Sequence, residues 1–327
     1  MNVPKLLADR RQKTEERLAQ LGAALAAVGA PEIVENRACV YATGSVGRGE
    51  MSPKSDLDIF IVRDRSLPSP LTNLDEIRLK ARLIEVSRKL GFPEFSDDGD
   101  YVKTYDVKTD MIEKLGTRND DYDNVFTARL LLLLESRAIV GAPIYERTIT
   151  DLIAAYWRDY PQNSENFQPV FLMNDILRFW KTLCLNYEER TGGAKSGKRR
   201  LLNYKLKHSR LLTCYSAIVY LLSALRTEKG TISDEVARKM VAASPTQRLE
   251  YVGTQHPEVS DLVQRILENY ATFLEVCDEE KPVLIEKFAE SAFKKERFAE
   301  ARNFGNDVFV LVMKLGAGSD LLRYLVV

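Results

Sequence analysis

The sequence predicts an α+β protein: a small N-terminal α/β domain with a mixed sheet, followed by an all-helical C-terminal domain. Three observations predict it. Short apolar, β-branched runs bounded by turn residues punctuate roughly the first 110 positions. From about residue 120 onward the apolar spacing is helical almost throughout. At 327 residues the chain is too long for one small core and short for three domains. The expected domains are 1–118 and 119–327.

Taken in order, residues 5–29 form an amphipathic helix with Leu6, Leu7, Leu18, Leu21 and Leu25 near one face, ended by Pro31. Residues 40–43 read as a strand, 44–49 as a Gly-rich turn and 57–62 as a second strand. Pro68 and Pro70 mark a loop, and 73–90 is helical up to Gly91 and Pro93. Asp97 and Asp98 belong to a turn, after which 101–107 alternates as a third strand. Helices are then expected at 122–139, 144–159, 170–190, 201–227, 233–242, 258–277 and 283–315. Residues 190–200, rich in Gly, Arg and Lys, read as a flexible basic loop.

Composition narrows the classes. Lys+Arg and Asp+Glu both count 47, which argues against a protein that coats nucleic acid through charge alone. No apolar run reaches bilayer length, and the first residues lack the order of a signal peptide, so a cytoplasmic protein without a membrane partner is expected. The four cysteines are scattered and are expected to be reduced thiols. With only His208 and His256 beside them, neither a zinc site nor a histidine base is expected.

The informative stretch is Gly44-Ser45-Val46-Gly47-Arg48-Gly49-Glu50, then Ser55-Asp56-Leu57-Asp58 leading into an apolar run. A strand ending in Gly-Ser lets backbone, hydroxyl and amide hydrogens approach phosphate oxygens. Asp-x-Asp opening the next strand puts Asp56 and Asp58 on one face. Two adjacent carboxylates repel unless a cation lies between them. Mg²⁺, or Mn²⁺, is the expected ion, because it takes hard oxygen ligands and shares substrate phosphates. Arg48 either assists by charge or pairs with Glu50 to fix the turn.

This arrangement resembles the GS…DxD signature of the DNA polymerase β-like nucleotidyltransferases. The string GSVGRGEMSPKSDLDIFIV is similar to the version in bacterial signal-protein uridylyltransferases, and LLESRAIVG at 133–141 resembles a helical stretch downstream in that group. The resemblance implies transfer of a nucleoside monophosphate from a nucleoside triphosphate, with Asp56 and Asp58 as metal ligands and catalytic residues, and Gly44 and Ser45 on the β,γ-phosphates. It also implies a further carboxylate from a later strand, for which Asp100 and Asp106 are the candidates. The acceptor stays open among a protein, an RNA end, a small molecule and a second nucleotide; the oligomeric state is open too. A non-catalytic nucleotide sensor using the same cleft is the alternative.

In the helical domain, Asn174, Arg178, Lys181 and Glu188 share one stripe, and Asn203, Lys207 and Arg210 share another. Arg178, Lys181 and Lys207 are the expected cations for the triphosphate, weighed against an ordinary solvated face. GGAKSGK at 192–198 fits part of a phosphate-binding loop, but Arg199 stands where Ser or Thr should be and no strand precedes it.

Overall fold

The computed structural model describes residues 3–95, 102–191, 196–228 and 230–325. The chain divides into two compact units, Lys5–Ala155 and Tyr156–Val327 with Met1–Pro4. The first is α+β and the second helical, as the sequence predicts.

In the first unit, helix α1 (Val3–Ala27) and the short α2 (Ala30–Val34) lead into strand β1 (Ala38–Ala42), every residue of which is buried. The turn helix α3 (Gly44–Gly47) follows, then strand β2 (Ile59–Arg63), helix α4 (Asn73–Lys89) and strand β3 (Thr104–Asp106). Helix α5 (Val125–Glu135) is followed at once by strand β4 (Arg137–Val140), and helix α6 (Ala142–Tyr156) closes the unit. The four strands lie in the order β3-β2-β1-β4. β1 pairs antiparallel with both β2 and β4, while β2 and β3 run parallel, so the sheet is mixed. One apolar core gathers Leu21 and Leu25 of α1, Val40 of β1, Ile59 and Ile61 of β2, and Leu79 and Leu83 of α4. α4 starts where the sequence places it because Thr72 and Asp75 form a capping box: the Thr72 hydroxyl accepts from Asp75 N, and Asp75 accepts in return.

β4 departs from the single helix expected at 122–139. The helix stops at Ser136, whose backbone is extended (φ −118°, ψ 158°) and whose hydroxyl donates back to the Leu132 carbonyl at 2.6 Å. The β-branched pair Ile139-Val140 then joins the sheet edge beside β1. This carries the compact unit to Ala155, beyond the boundary expected at 118.

In the helical unit, α7 (Tyr160–Asn163), α8 (Val170–Thr191) and α9 (Ser196–Lys205) precede a π-helical segment, Leu206–Arg210, which runs into α10 (Leu211–Thr227). α10 is apolar around nearly its whole circumference and is accordingly the central helix, packed by α8, α12 and α15. Then come α11 (Asp234–Ala242), α12 (Pro245–Gln255), α13 (Ser260–Val276), α14 (Lys281–Ala289), α15 (Ser291–Gly316) and α16 (Asp320–Tyr324). The helix expected at 283–315 is thus two, broken at the extended Glu290. Helix α12 was not among the expected elements. Residues 196–200, expected in a basic loop, open α9. Gly197 belongs there because a Cβ would sit 2.1 Å from the Ile285 carbonyl of α14, so it is a packing residue between two helices. No helix of the described residues is long and apolar enough to cross a membrane. All four cysteines are free, and burial pushes the Cys39 thiol up to about 12.

The buried His208 lies between Phe273 and Phe304, at ring-centroid distances of 4.7 and 5.0 Å. Burial holds its pKa down at about 4, from an ordinary 6.5, against hydrogen bonding to the Tyr204 carbonyl and Asn269. The unfolded chain therefore binds the proton more tightly. The stability due to the neutral ring is complete above pH 6.5 and is lost as pH falls toward 4, by about 3 kcal/mol in all. Denaturant titrations across that window should show this loss in the wild type and a flatter profile in His208→Phe. Parallel profiles would place the acid sensitivity elsewhere.

Candidate active site

β1 and β2 meet at one end of the sheet, and there the motif assembles. The antiparallel ladder that pairs Ala42 with Ile59 continues one step further, the Thr43 amide donating to the Asp58 carbonyl at 2.9 Å. Asp58 is thereby held opposite the start of the Gly-Ser turn. Gly44 has φ +66°, and a Cβ there would lie 2.5 Å from Asp58 Oδ2. Both the left-handed backbone and the carboxylate packed on the Cα demand glycine. Gly44→Ala should displace the Asp58 carboxylate, lowering by more than tenfold whatever chemistry the site performs, for a stability loss of about 1 kcal/mol. Steady-state kinetics beside a thermal melt would check this, and unchanged turnover would count against it.

Asp56 and Asp58 precede β2 rather than lying within it, since β2 begins at Ile59. The alternation is nevertheless in place: Asp56 is exposed, Leu57 buried, Asp58 half-buried and Ile59 buried. The two carboxylates therefore point away from the core together. The Ser52–Ser55 turn that delivers them is closed by Ser55 N on the Ser52 carbonyl at 3.1 Å and Ser52 N on the Ser55 hydroxyl at 2.9 Å.

Under this surface lies a buried ionic cluster that the sequence only half disclosed. Arg48 Nε donates to Glu50 at 2.8 Å, and its other arm donates to Glu135 at 2.9 Å. All three residues are buried. The second oxygen of Glu135 accepts the Gly44 amide at 3.2 Å. Of the two roles open to Arg48, the geometry displays the structural one, extended to a second carboxylate 87 residues away. The Gly44 amide likewise points inward to Glu135, while the neighbouring Ser45 is half-buried. Helix α1 backs the turn from outside: Arg10 donates to the Glu50 carbonyl at 3.2 Å, and Met51 N to the Thr14 hydroxyl at 3.1 Å.

Asp106, a candidate for the further carboxylate, is at the wrong end of the strand. Parallel pairing sets it against Arg63, five residues along β2 from Asp58, or roughly 16 Å at 3.3 Å per residue. It is buried there and accepts from Arg65 N at 2.8 Å and Thr109 N at 2.8 Å, capping the π-helical segment Val107–Ile112. Asp100 lies outside the described residues. Arg178, Lys181 and Lys207 belong to the helical unit. There Arg178 is 3.6 Å from Asp175, Lys181 is exposed on α8, and Lys207 lies over the Phe298 ring at 5.7 Å.

Among the described residues no group of three or more His, Cys, Asp or Glu converges on a point that could hold a metal ion. The pair Asp56 and Asp58 suits an ion of the Mg²⁺ type, which commonly takes one or two protein carboxylates and completes its shell with water and substrate phosphate.

Most of this geometry lies within the part of the chain that a known family model matches. Residues 31–119 match the nucleotidyltransferase domain of the polymerase β-like superfamily. The match spans the Gly-Ser turn, Asp56 and Asp58, and ends before Glu135 and β4. No curated protein and no solved structure matches the chain.

Proposed function

We propose that the chain is a metal-dependent nucleotidyltransferase. It transfers a nucleoside monophosphate from a nucleoside triphosphate to an acceptor, which is a protein, an RNA end, a nucleotide or a small molecule. The observation that carries this is the seating of the Asp58 carboxylate against Gly44, which joins the two halves of the motif at one end of the sheet. The family match over the same residues supports it. The reading rests on the Lys5–Ala155 unit alone.

An acceptor oxygen attacks the α-phosphorus, the bond from that phosphorus to the bridging oxygen breaks, and pyrophosphate leaves. Ser45 offers its hydroxyl and amide to the outgoing phosphates. Asp56 and Asp58 would hold Mg²⁺ or Mn²⁺, which when bound neutralises charge on the phosphate oxygens. The Arg48 cluster keeps the turn rigid beneath the substrate, so that binding requires little rearrangement.

The test is pyrophosphate release by purified protein with each of the four nucleoside triphosphates, Mg²⁺ or Mn²⁺, and cell extract as acceptor source. Release together with a labelled product establishes the reaction and names the acceptor. Triphosphate binding without release under all these conditions would overturn it in favour of a nucleotide sensor.

A further inference from the structure

Helix α4 carries two apolar faces, and the fold uses one. Leu79, Leu83 and Val86 are buried against the sheet. On the opposite side Leu74 (56% exposed), Ile77 (64%) and Ile84 (41%) stand in solvent, with the exposed Ala81 between the isoleucines. Leu74, Ile77, Ala81, Ile84 and the exposed Arg88 recur at spacings of three, four, three and four, which is the seam of a two-stranded coiled coil. Scattered exposed leucines need no explanation, but an ordered stripe opposite a buried face does.

The charges beside the stripe select its occupant. Arg78 and Glu85 flank the same edge, both exposed. Among the described residues Arg78 has a distant contact, 3.9 Å, with Asp75. We infer that this face of α4 docks on the same face of a second copy of this chain, the two helices antiparallel about a two-fold axis at Ala81.

In that arrangement the small Ala81 side chains let the helices approach closely, and Ile77 of each copy packs on the partner's Ile84. Leu74 lies along the aliphatic stem of the partner's Arg88. Arg78 faces the partner's Glu85, and symmetry makes that pair twice. The parallel arrangement stacks Arg88 on Arg88 and separates Arg78 from Glu85, so the charges disfavour it. A single pair of 17-residue helices buries less than the roughly 1,600 Å² of a standard interface, so the dimer is weak and concentration-dependent.

Sedimentation velocity on the full chain should show the 37.2 kDa monomer giving way to a species of twice that mass as concentration rises. Ile77→Glu, at an exposed position, should keep the wild-type melting curve and remain monomeric. Arg78→Glu and Glu85→Arg should each weaken the dimer roughly tenfold, through two symmetric like-charge contacts. The double exchange R78E/E85R should restore it. A monomer at every concentration would overturn the proposal and give the face to some other occupant. So would a dimer that survives Ile77→Glu, or a double exchange that fails to restore association.

Discussion

On the proposed reaction, Asp58→Asn should abolish pyrophosphate release while the chain stays folded, with a loss of at least a thousandfold, about 4 kcal/mol of transition-state stabilisation. The substitution keeps the shape of the side chain and removes its charge. The backbone carbonyl that anchors the position to Thr43 is untouched, as is Leu57, which ties the segment to the core. The side chain is half-buried, so the melting curve should move by no more than about 1 kcal/mol in stability. Asp56→Asn, at an exposed position, should behave in the same way with an even smaller effect on stability. Turnover measured beside a melt separates loss of chemistry from loss of fold. Full turnover in either variant would remove these carboxylates from the reaction.

Arg48→Met should act in the opposite sense, on the fold first. Glu50 and Glu135 would be left buried without the cation that bridges them, and breaking such a cluster from one side costs about 3–5 kcal/mol. For a unit of this size that is a fall of roughly 10 °C in melting temperature. Arg48→Lys should recover little, because a point charge cannot span two carboxylates as the guanidinium fork does. The melt is to be taken without nucleotide. A variant that melts like the wild type and loses only triphosphate affinity would return Arg48 to the phosphate-contacting role that the sequence left open.

The legible and illegible parts of this chain divide on physical grounds. The Gly-Ser turn, Asp56 and Asp58 lie within fifteen residues of one another, and a short span with alternation can be followed by eye. The helical character of α10 was legible from its long apolar run, expected within 201–227, whereas its central place in the unit is seen only in the packing. Two further signals are present in the sequence. Ser244-Pro245-Thr246-Gln247 is a capping box with proline at the first helical position, and it announces α12. Ser136 followed by Ile139-Val140-Gly141 contains a strand, hidden behind a leucine run whose helical period dominates any window that includes both. The position of Asp106 could not be read, because parallel strand register depends on where a long connection returns. The role of Glu135 was equally hidden: nothing local to position 135 says that its carboxylate reaches back beneath position 44.

That last contact bears on the order in which the molecule comes together. The Gly44 amide and its acceptor on Glu135 are separated by 91 residues, and the edge strand that follows Glu135 has to find β1 across a similar interval. Loop-closure entropy is expected to make contacts so distant along the chain close late, after the local helices. Until they close, Arg48 and Glu50 lack the second carboxylate of their cluster, and the turn lacks its floor. During synthesis every residue of the recognisable motif has therefore been made well before the segment that sets it in place. A fragment ending where the family match ends, at residue 119, would keep the whole signature and none of that support. In this chain the floor beneath the Gly44-Ser45 turn is completed only with the segment that carries Glu135 and β4.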